Sequence, residues 1–271
     1  MPLVKIRRGT GNTSPLFCIP GAAASVLVFN DLSHAIEPRF HVYGLQPKGL
    51  DGVLSPYRDV VTAAEDHVRT IRETQIHGPY NLMGHSFGGW IAFEVALQLL
   101  SHNQEIGNLF VVDSRTPSES MDEPCTPSLE QTINKLIEIV NLRLSTPIDL
   151  DFDDIQLSTF DTLIALLHQK FVGAGLLHSK SSPKVLHGVI RVLQANMSTI
   201  YTPNMPLRGV LQLFTAEYSA VNPEFSINGW RNHATVLDHV QLPGNHVTVL
   251  LQPNVAVLAR HVNDKLRVSW P

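Results

Sequence analysis

Residues 80–100 read YNLMGHSFGGWIAFEVALQLL, and this stretch decides the predicted fold. Its first four residues are typical of a buried strand, and residues 88–100 continue as an apolar helix. Between them, Gly84-His85-Ser86-Phe87-Gly88 fits the pattern G-x-S-x-G, in which a serine lies at a sharp turn from strand to helix. Glycines on either side of the serine allow the close packing that this strained turn requires. The stretch therefore predicts a serine hydroxyl exposed above the edge of a sheet.

Strands and helices alternate on both sides of this turn. The predicted strands are residues 15–19, 41–45, 80–83, 109–112, 209–214 and 235–242. The predicted helices are residues 26–36, 60–73, 88–100 and 255–262. This alternation predicts an α/β fold, with a mostly parallel sheet and helices on both faces.

Residues 115–206 interrupt the alternation for longer than an ordinary connection does. A capping box at Ser128 and Gln131 begins one candidate helix, and apolar periodicity predicts two more near residues 160–171 and 182–193. We expect a helical lid inserted into a single domain of residues 1–271. Its apolar positions either form the core of the lid or line a chamber for an acyl chain; the candidates are Ile133, Ile137, Val140, Leu163 and Leu167.

Composition excludes several classes of protein. The 271 residues are 44% hydrophobic and 16% charged, which is typical of a globular domain and not of a disordered or fibrous chain. A net charge of -4 without a basic cluster argues against nucleic-acid binding. The sequence has neither a signal-peptide core nor an apolar run long enough for a membrane span, so we expect a cytoplasmic protein. Cys18 and Cys125 lack the spacing of a metal site and are interpreted as structural thiols.

A nucleophilic serine needs a general base, and thirteen histidines are available. His246 follows the last predicted strand and the turn Pro243-Gly244, where a hydrolase fold places its catalytic histidine. His239 lies within that strand, and His261 lies in the last helix. We predict that His246 is the base.

The third member of such a triad is a carboxylate that orients the histidine. Asp113 directly follows the predicted strand 109–112, and Glu217 lies just past the strand that ends at Phe214. Many hydrolase folds carry the acid at the later position. We favour Asp113 because it is shorter and immediately ends its strand, and Glu217 is the alternative.

Two backbone N–H groups must stabilise the oxyanion of an acyl-transfer reaction. One is predicted to come from Phe87, the residue after the serine, and the other from the loop Pro20-Gly21-Ala22-Ala23. Within that loop we predict Ala22, because small side chains leave room for an acyl group. No metal site and no bound cofactor are expected.

Four stretches together resemble one family: Leu16-Phe17-Cys18-Ile19-Pro20-Gly21, Tyr43-Gly44-Leu45-Gln46, Gly84-His85-Ser86-Phe87-Gly88-Gly89 and Pro243-Gly244-Asn245-His246. Over nearly its whole length, the chain resembles the terminal thioesterase domains of nonribosomal peptide and polyketide synthases. The resemblance implies the α/β-hydrolase fold. It also implies Asp113 as the acid, because in this family the acid follows the strand that comes after the helix of the G-x-S-x-G turn.

The resemblance further implies a substrate and a partner. An upstream carrier-protein domain would deliver an acyl or peptidyl thioester on its 4'-phosphopantetheine. The acyl or peptidyl group would then be released by hydrolysis or macrocyclisation. Residues 1–14 look like a linker from that carrier domain. The alternatives are a stand-alone esterase or lipase, an editing thioesterase of the same fold, and a non-catalytic hydrolase-fold binding protein.

Overall fold

A computed structural model of the chain describes residues 3–117, 126–150, 159–220 and 222–268. Its seven strands are β1 (Leu3–Arg7), β2 (Leu16–Ile19), β3 (Val42–Leu45), β4 (Tyr80–His85), β5 (Ile106–Val112), β6 (Leu207–Tyr218) and β7 (Ala234–Asn245). They form one sheet in the order β1-β3-β2-β4-β5-β6-β7. Strand β1 is antiparallel to β3, and the other pairs are parallel. The predicted α/β fold with a mostly parallel sheet is confirmed.

Helices cover both faces of the sheet. They are α1 (Asn30–Ala35), α2 (Val60–Thr74), α3 (Phe87–Ser101), α4 (Leu129–Asn141), α5 (Phe160–Gly173), α6 (Val185–Met197), α7 (Pro223–Arg231) and α8 (Val255–Val268). Strand β2 illustrates the two layers: Phe17 and Ile19 belong to the core with α2 and α3, whereas Leu16 and Cys18 belong to the core with α1 and α8. Because both faces are covered, the central strands are continuously apolar.

The structure of residues 3–7 differs from the linker that the sequence analysis expected over residues 1–14. Leu3–Arg7 forms strand β1 at the edge of the sheet. The Arg7 guanidinium donates hydrogen bonds to the carbonyls of Ile36, Glu37 and Phe40, which fastens this strand to the domain. The sequence did not predict the strand because charged residues interrupt its short apolar pattern.

Two other differences concern the ends of two strands and one helix that was not predicted. Strands β6 and β7 extend to Tyr218 and Asn245, beyond the predicted ends at residues 214 and 242. Helix α7 was not predicted, since its buried residues are only Ser226 and Trp230 and produce no apolar periodicity.

Helices α4, α5 and α6 lie between β5 and β6, within the predicted lid. The capping box at Ser128 and Gln131 is confirmed. The five candidate chamber residues form the core of the lid: four are buried in its apolar cluster, and Val140 packs against it. That cluster also contains Ala23, which belongs to the loop after β2.

Cys18 is buried in the sheet, and burial raises the pKa of its thiol. Cys125 lies outside the described residues. Within the ranges that the structure describes, no helix has both the length and the apolar character needed to cross a membrane. The same ranges contain no group of three or more His, Cys, Asp or Glu residues that could hold a metal ion.

Candidate active site

The pairing of the strands places three predicted residues at one edge of the sheet. His85, the last residue of β4, pairs with Val112, the last residue of β5. Ser86 and Asp113 therefore directly follow the ends of two adjacent strands. The Ser86 N–H donates to the Val112 carbonyl at 2.9 Å. His246 directly follows Asn245, the last residue of β7. All three residues therefore lie beyond the carboxyl ends of parallel strands, where α/β sheets bind ligands.

Ser86 has the strained backbone of a nucleophile elbow, with φ 54° and ψ -126°. A Cβ atom on Gly84 would lie 2.1 Å from the Gly88 carbonyl oxygen, and one on Gly88 would lie 2.3 Å from the carbonyl oxygen of Ile19. Neither position can carry a side chain without moving the backbone. Helix α3 begins at the next residue, so the positive end of its dipole lies beside the partly exposed Ser86.

Asp113 and His246 are joined by a hydrogen bond of 2.6 Å from Nδ1 to Oδ2. The Asp113 carboxylate also accepts the Ala216 N–H at 2.9 Å and the Ser219 hydroxyl at 3.2 Å. Burial acts to raise the pKa of Asp113, but the hydrogen bonds from His246 and Ala216 outweigh it and hold that pKa below its ordinary value. Because Nδ1 donates its proton to the carboxylate, Nε2 of a neutral His246 is an acceptor.

Glu217, the alternative acid, is exposed near the end of β6. Its neighbour Ala216 instead supplies a backbone donor to Asp113. The His246 ring lies 4.8 Å, between ring centroids, from the ring of His85, the residue before Ser86. Among the described hydrogen bonds, none joins Ser86 Oγ to His246; such bonds often tighten only when substrate binds.

The predicted oxyanion residues belong to two segments that meet at Ser86. A Cβ atom on Gly21 would be 3.0 Å from Ser86 Cβ, so the loop carrying Ala22 packs directly against the elbow. Phe87 is the first residue of α3, and the N–H groups of a first helical turn have no helical acceptor.

Sequence reasoning missed His85 as a member of the site. Its Nε2 donates to the His246 carbonyl oxygen at 2.7 Å. Burial, followed by the nearby His246, lowers the pKa of His85 to about 3. The ring is therefore neutral, and its Nε2 carries the proton because a carbonyl only accepts. The one feature of the sequence that could have indicated this role is the position of His85 directly before Ser86 in the G-x-S-x-G motif.

Sequence reasoning also missed Asn196 on α6. Its Oδ1 accepts the N–H of Ala23 at 3.3 Å. Asn196 and Val192 line a small cavity whose other walls include Gly21 and Phe87. No local pattern marks this residue, because the contact joins segments that are distant in the chain.

Comparison with known proteins connects this geometry to a family. The family model described as "Thioesterase domain" matches residues 14–266. A curated relative, the probable non-canonical nonribosomal peptide synthetase CymA of Salinispora arenicola, is 26% identical over 267 residues. That alignment covers 98% of this chain and 3% of CymA, so the chain spans a small part of this much longer relative.

Two solved structures share the fold. The four-domain nonribosomal peptide synthetase AB3403 has a TM-score of 0.85 at 20% identity, covering 97% of this chain and 20% of that one. The type II thioesterase BorB from the borrelidin biosynthetic cluster has a TM-score of 0.68 at 19% identity, covering 98% of this chain and 97% of that one. These matches confirm the α/β-hydrolase fold. Since the family model spans most of its length, the chain belongs to the thioesterase domain family.

Proposed function

We propose that this thioesterase domain releases an acyl or peptidyl chain from the phosphopantetheine thioester of a carrier protein, through an ester on Ser86. The observation that carries the proposal is the hydrogen bond of 2.6 Å between His246 and Asp113, at the strand ends beside the Ser86 elbow. The family match and the synthetase relatives support the substrate class. The carrier protein is the proposed partner, and the pantetheine belongs to it and not to this domain.

In the first half-reaction, Ser86 Oγ attacks the thioester carbonyl while His246 Nε2 takes the hydroxyl proton. The oxyanion accepts hydrogen bonds from the N–H groups of Ala22 and Phe87. When the tetrahedral intermediate collapses, the carbon–sulfur bond breaks. The leaving pantetheine sulfur receives the proton from His246, and the acyl group remains as an ester on Ser86.

In the second half-reaction, His246 takes a proton from the attacking group, and the ester bond to Ser86 breaks. Attack by water releases a free acid, whereas attack by an amine or hydroxyl of the acyl chain itself releases a ring. In either case Ser86 regains its proton from His246. Asp113 stabilises the imidazolium ion that forms in each step.

A second candidate is an editing thioesterase that removes unwanted acyl groups from carrier proteins. The observation that favours it is the similarity to BorB, a type II thioesterase that the chain covers almost completely. The two candidates share the same chemistry at Ser86. They differ in whether the acyl chain comes from a fused carrier domain or from separate carrier proteins.

Intact-mass spectrometry after treatment with a fluorophosphonate tests the nucleophile. We expect one adduct on the wild-type chain and none on Ser86→Ala, together with a loss of thioester hydrolysis of roughly 10⁴-fold or more. Ser101→Ala is the matched control, because Ser101 is an exposed serine at the other end of the same helix α3. An adduct that persists on Ser86→Ala would contradict the proposal.

Substrate preference tests the reaction class. Acyl thioesters of pantetheine should be cleaved with higher kcat/KM than aryl esters of the same acyl chain. A strong preference for the aryl esters would identify a stand-alone esterase. Acyl groups loaded on separate and on fused carrier proteins then distinguish editing from terminal release.

A further inference from the structure

The loop after β2 contains an unfavourable turn. The Ala24 N–H donates to the Gly21 carbonyl at 3.1 Å, which closes a turn with Ala22 and Ala23 at its centre. Ala23 has a φ of 55°, in the left-handed region that favours glycine at this position of a turn. An alanine remains there only when surrounding contacts hold it.

The lid supplies those contacts. Asn196 Oδ1 on α6 accepts the Ala23 N–H at 3.3 Å, so it binds the central peptide group of the turn. The Ala23 methyl group is buried in the apolar cluster of the lid. Val192, on α6, and Thr199, just after it, line the small cavity that is also lined by Gly21 and Phe87. The lid therefore meets the core at the loop that carries Ala22.

We propose that Asn196 is a positioning residue that holds the oxyanion loop in its active conformation when α6 packs against it. This inference rests on the proposed function, in which Ala22 N–H is an oxyanion donor. Gly21 packs closely against Ser86, and its carbonyl belongs to the same peptide group as the Ala22 N–H, so the turn hydrogen bond to that carbonyl sets the direction of the Ala22 N–H. Without the contact to α6, Ala23 would lack its hydrogen bond and its apolar contacts, and the turn would be free to relax. Oxyanion stabilisation is then coupled to coverage of the site by the lid.

Substitution of Asn196 tests the proposal with the octanoyl thioester of N-acetylcysteamine as substrate. Asn196→Leu keeps a similar size and removes the acceptor, so kcat/KM should fall by about 10- to 100-fold, less than for complete loss of an oxyanion donor. The pH profile of kcat/KM should stay unchanged because His246 and Asp113 are untouched. Gln194→Leu is the matched control on α6, since its side chain donates to the Pro127 carbonyl, away from the turn.

A second substitution separates loop positioning from a general structural role. Glycine adopts positive φ without strain, so Ala23→Gly in the Asn196→Leu background should restore part of the lost kcat/KM. Circular dichroism checks folding, and Asn196→Ala replaces the leucine variant if that variant does not fold. Full activity of the Asn196 variant, an equal loss in Gln194→Leu, or no recovery in the double variant would overturn the inference. Absence of Ser86-dependent turnover in the wild type would overturn the proposed function instead.

Discussion

The sheet edge formed by the carboxyl ends of the parallel strands and the lid hold their candidate functional residues by different physical means. At the sheet edge, the backbone ladders of β4, β5 and β7 bring Ser86, Asp113 and His246 to the ends of parallel strands. In the lid, three helices bury their apolar residues mainly against each other, and α6 contacts the loop after β2 through the side chain of Asn196. The comparison teaches that the proposed chemistry depends on strand register, whereas the lid meets the loop beside it through a few side-chain contacts.

The lid also rests on the loop of residues 49–52. A Cβ atom on Gly188 of α6 would lie 2.3 Å from the Leu50 carbonyl oxygen. On the same helix, Arg191 donates to the Gly52 carbonyl at 3.3 Å. Helix α6 is thus the lid element that approaches the sheet domain at two loops, whereas the core of the lid lies among α4, α5 and α6.

The largest expected effect at the sheet edge comes from substituting the acid that orients His246. Asp113→Asn should lower kcat by roughly 10³- to 10⁴-fold, because the amide no longer fixes the His246 tautomer or stabilises its charged form. Glu217→Gln, the matched control at an exposed position near the end of β6, should leave kcat nearly unchanged. Steady-state kinetics with an acyl thioester measure both. A larger loss in a folded Glu217→Gln would assign the acid to the later strand.

Substitution of His85 should have an intermediate effect on kcat, smaller than that of Asp113→Asn. His85→Leu leaves the His246 carbonyl without its donor and allows the loop that carries His246 to shift. We expect kcat to fall by roughly 10- to 100-fold, because a displacement of about 1 Å in a reacting group can cost about 100-fold, with a changed pH profile because the position of His246 is disturbed. His85→Gln retains an N–H donor and should keep more of the activity. Equal losses in both folded variants would argue that His85 only fills space.

The features that could be predicted from the sequence lie mainly at the sheet edge, and those that could not depend on contacts between distant segments. The elbow could be predicted because Gly84, Ser86 and Gly88 are close in the chain and their steric requirement is local. Asp113 and His246 were predicted from strand ends, and the structure joins them by a hydrogen bond. Their catalytic roles stay predictions until variants are measured.

The features that the sequence did not predict depend on distant parts of the chain. Strand β1 is held by pairing with β3 and by Arg7, and neither produces an apolar pattern. The contact between Asn196 and Ala23 exists only after the lid has packed on the loop. For the lid core, periodicity identified which faces are apolar but not whether they face each other or a substrate.

Acid should weaken the sheet domain through His67 on α2. This side chain is buried, and its Nδ1 has no hydrogen-bond partner among the residues that the structure describes. Burial lowers its pKa to about 4, below the value of about 6.5 in an unfolded chain. The unfolded state therefore binds more protons in this window, and stability falls as the pH falls from about 6.5 towards 4.

The expected loss from His67 at pH 5, relative to pH 7.5, is about 2 kcal/mol of unfolding free energy. Urea unfolding followed by circular dichroism measures it. His67→Leu should flatten this dependence while leaving a residual slope from His85. Hydrogen exchange should locate the acid-induced opening in α2 rather than in α4. An unchanged pH slope in His67→Leu would contradict the assignment.

The smallest expected effect concerns the lid wall of the small cavity beside Phe87. Val192 is buried in the lid core and also lines this cavity, whereas Val189 on the same helix only packs, partly buried, against the lid core. Val192→Ala enlarges the cavity by two methyl groups, so the ratio of kcat/KM for decanoyl over butyryl thioesters should change by a factor of a few, within the range that one or two methylenes produce in an apolar site. Val189→Ala makes the same chemical change outside the cavity and should leave that ratio unaltered. An equal shift in both variants would mean that the lid acts on acyl selection through its stability, and no shift in either would place acyl selection on the sheet side of the cavity.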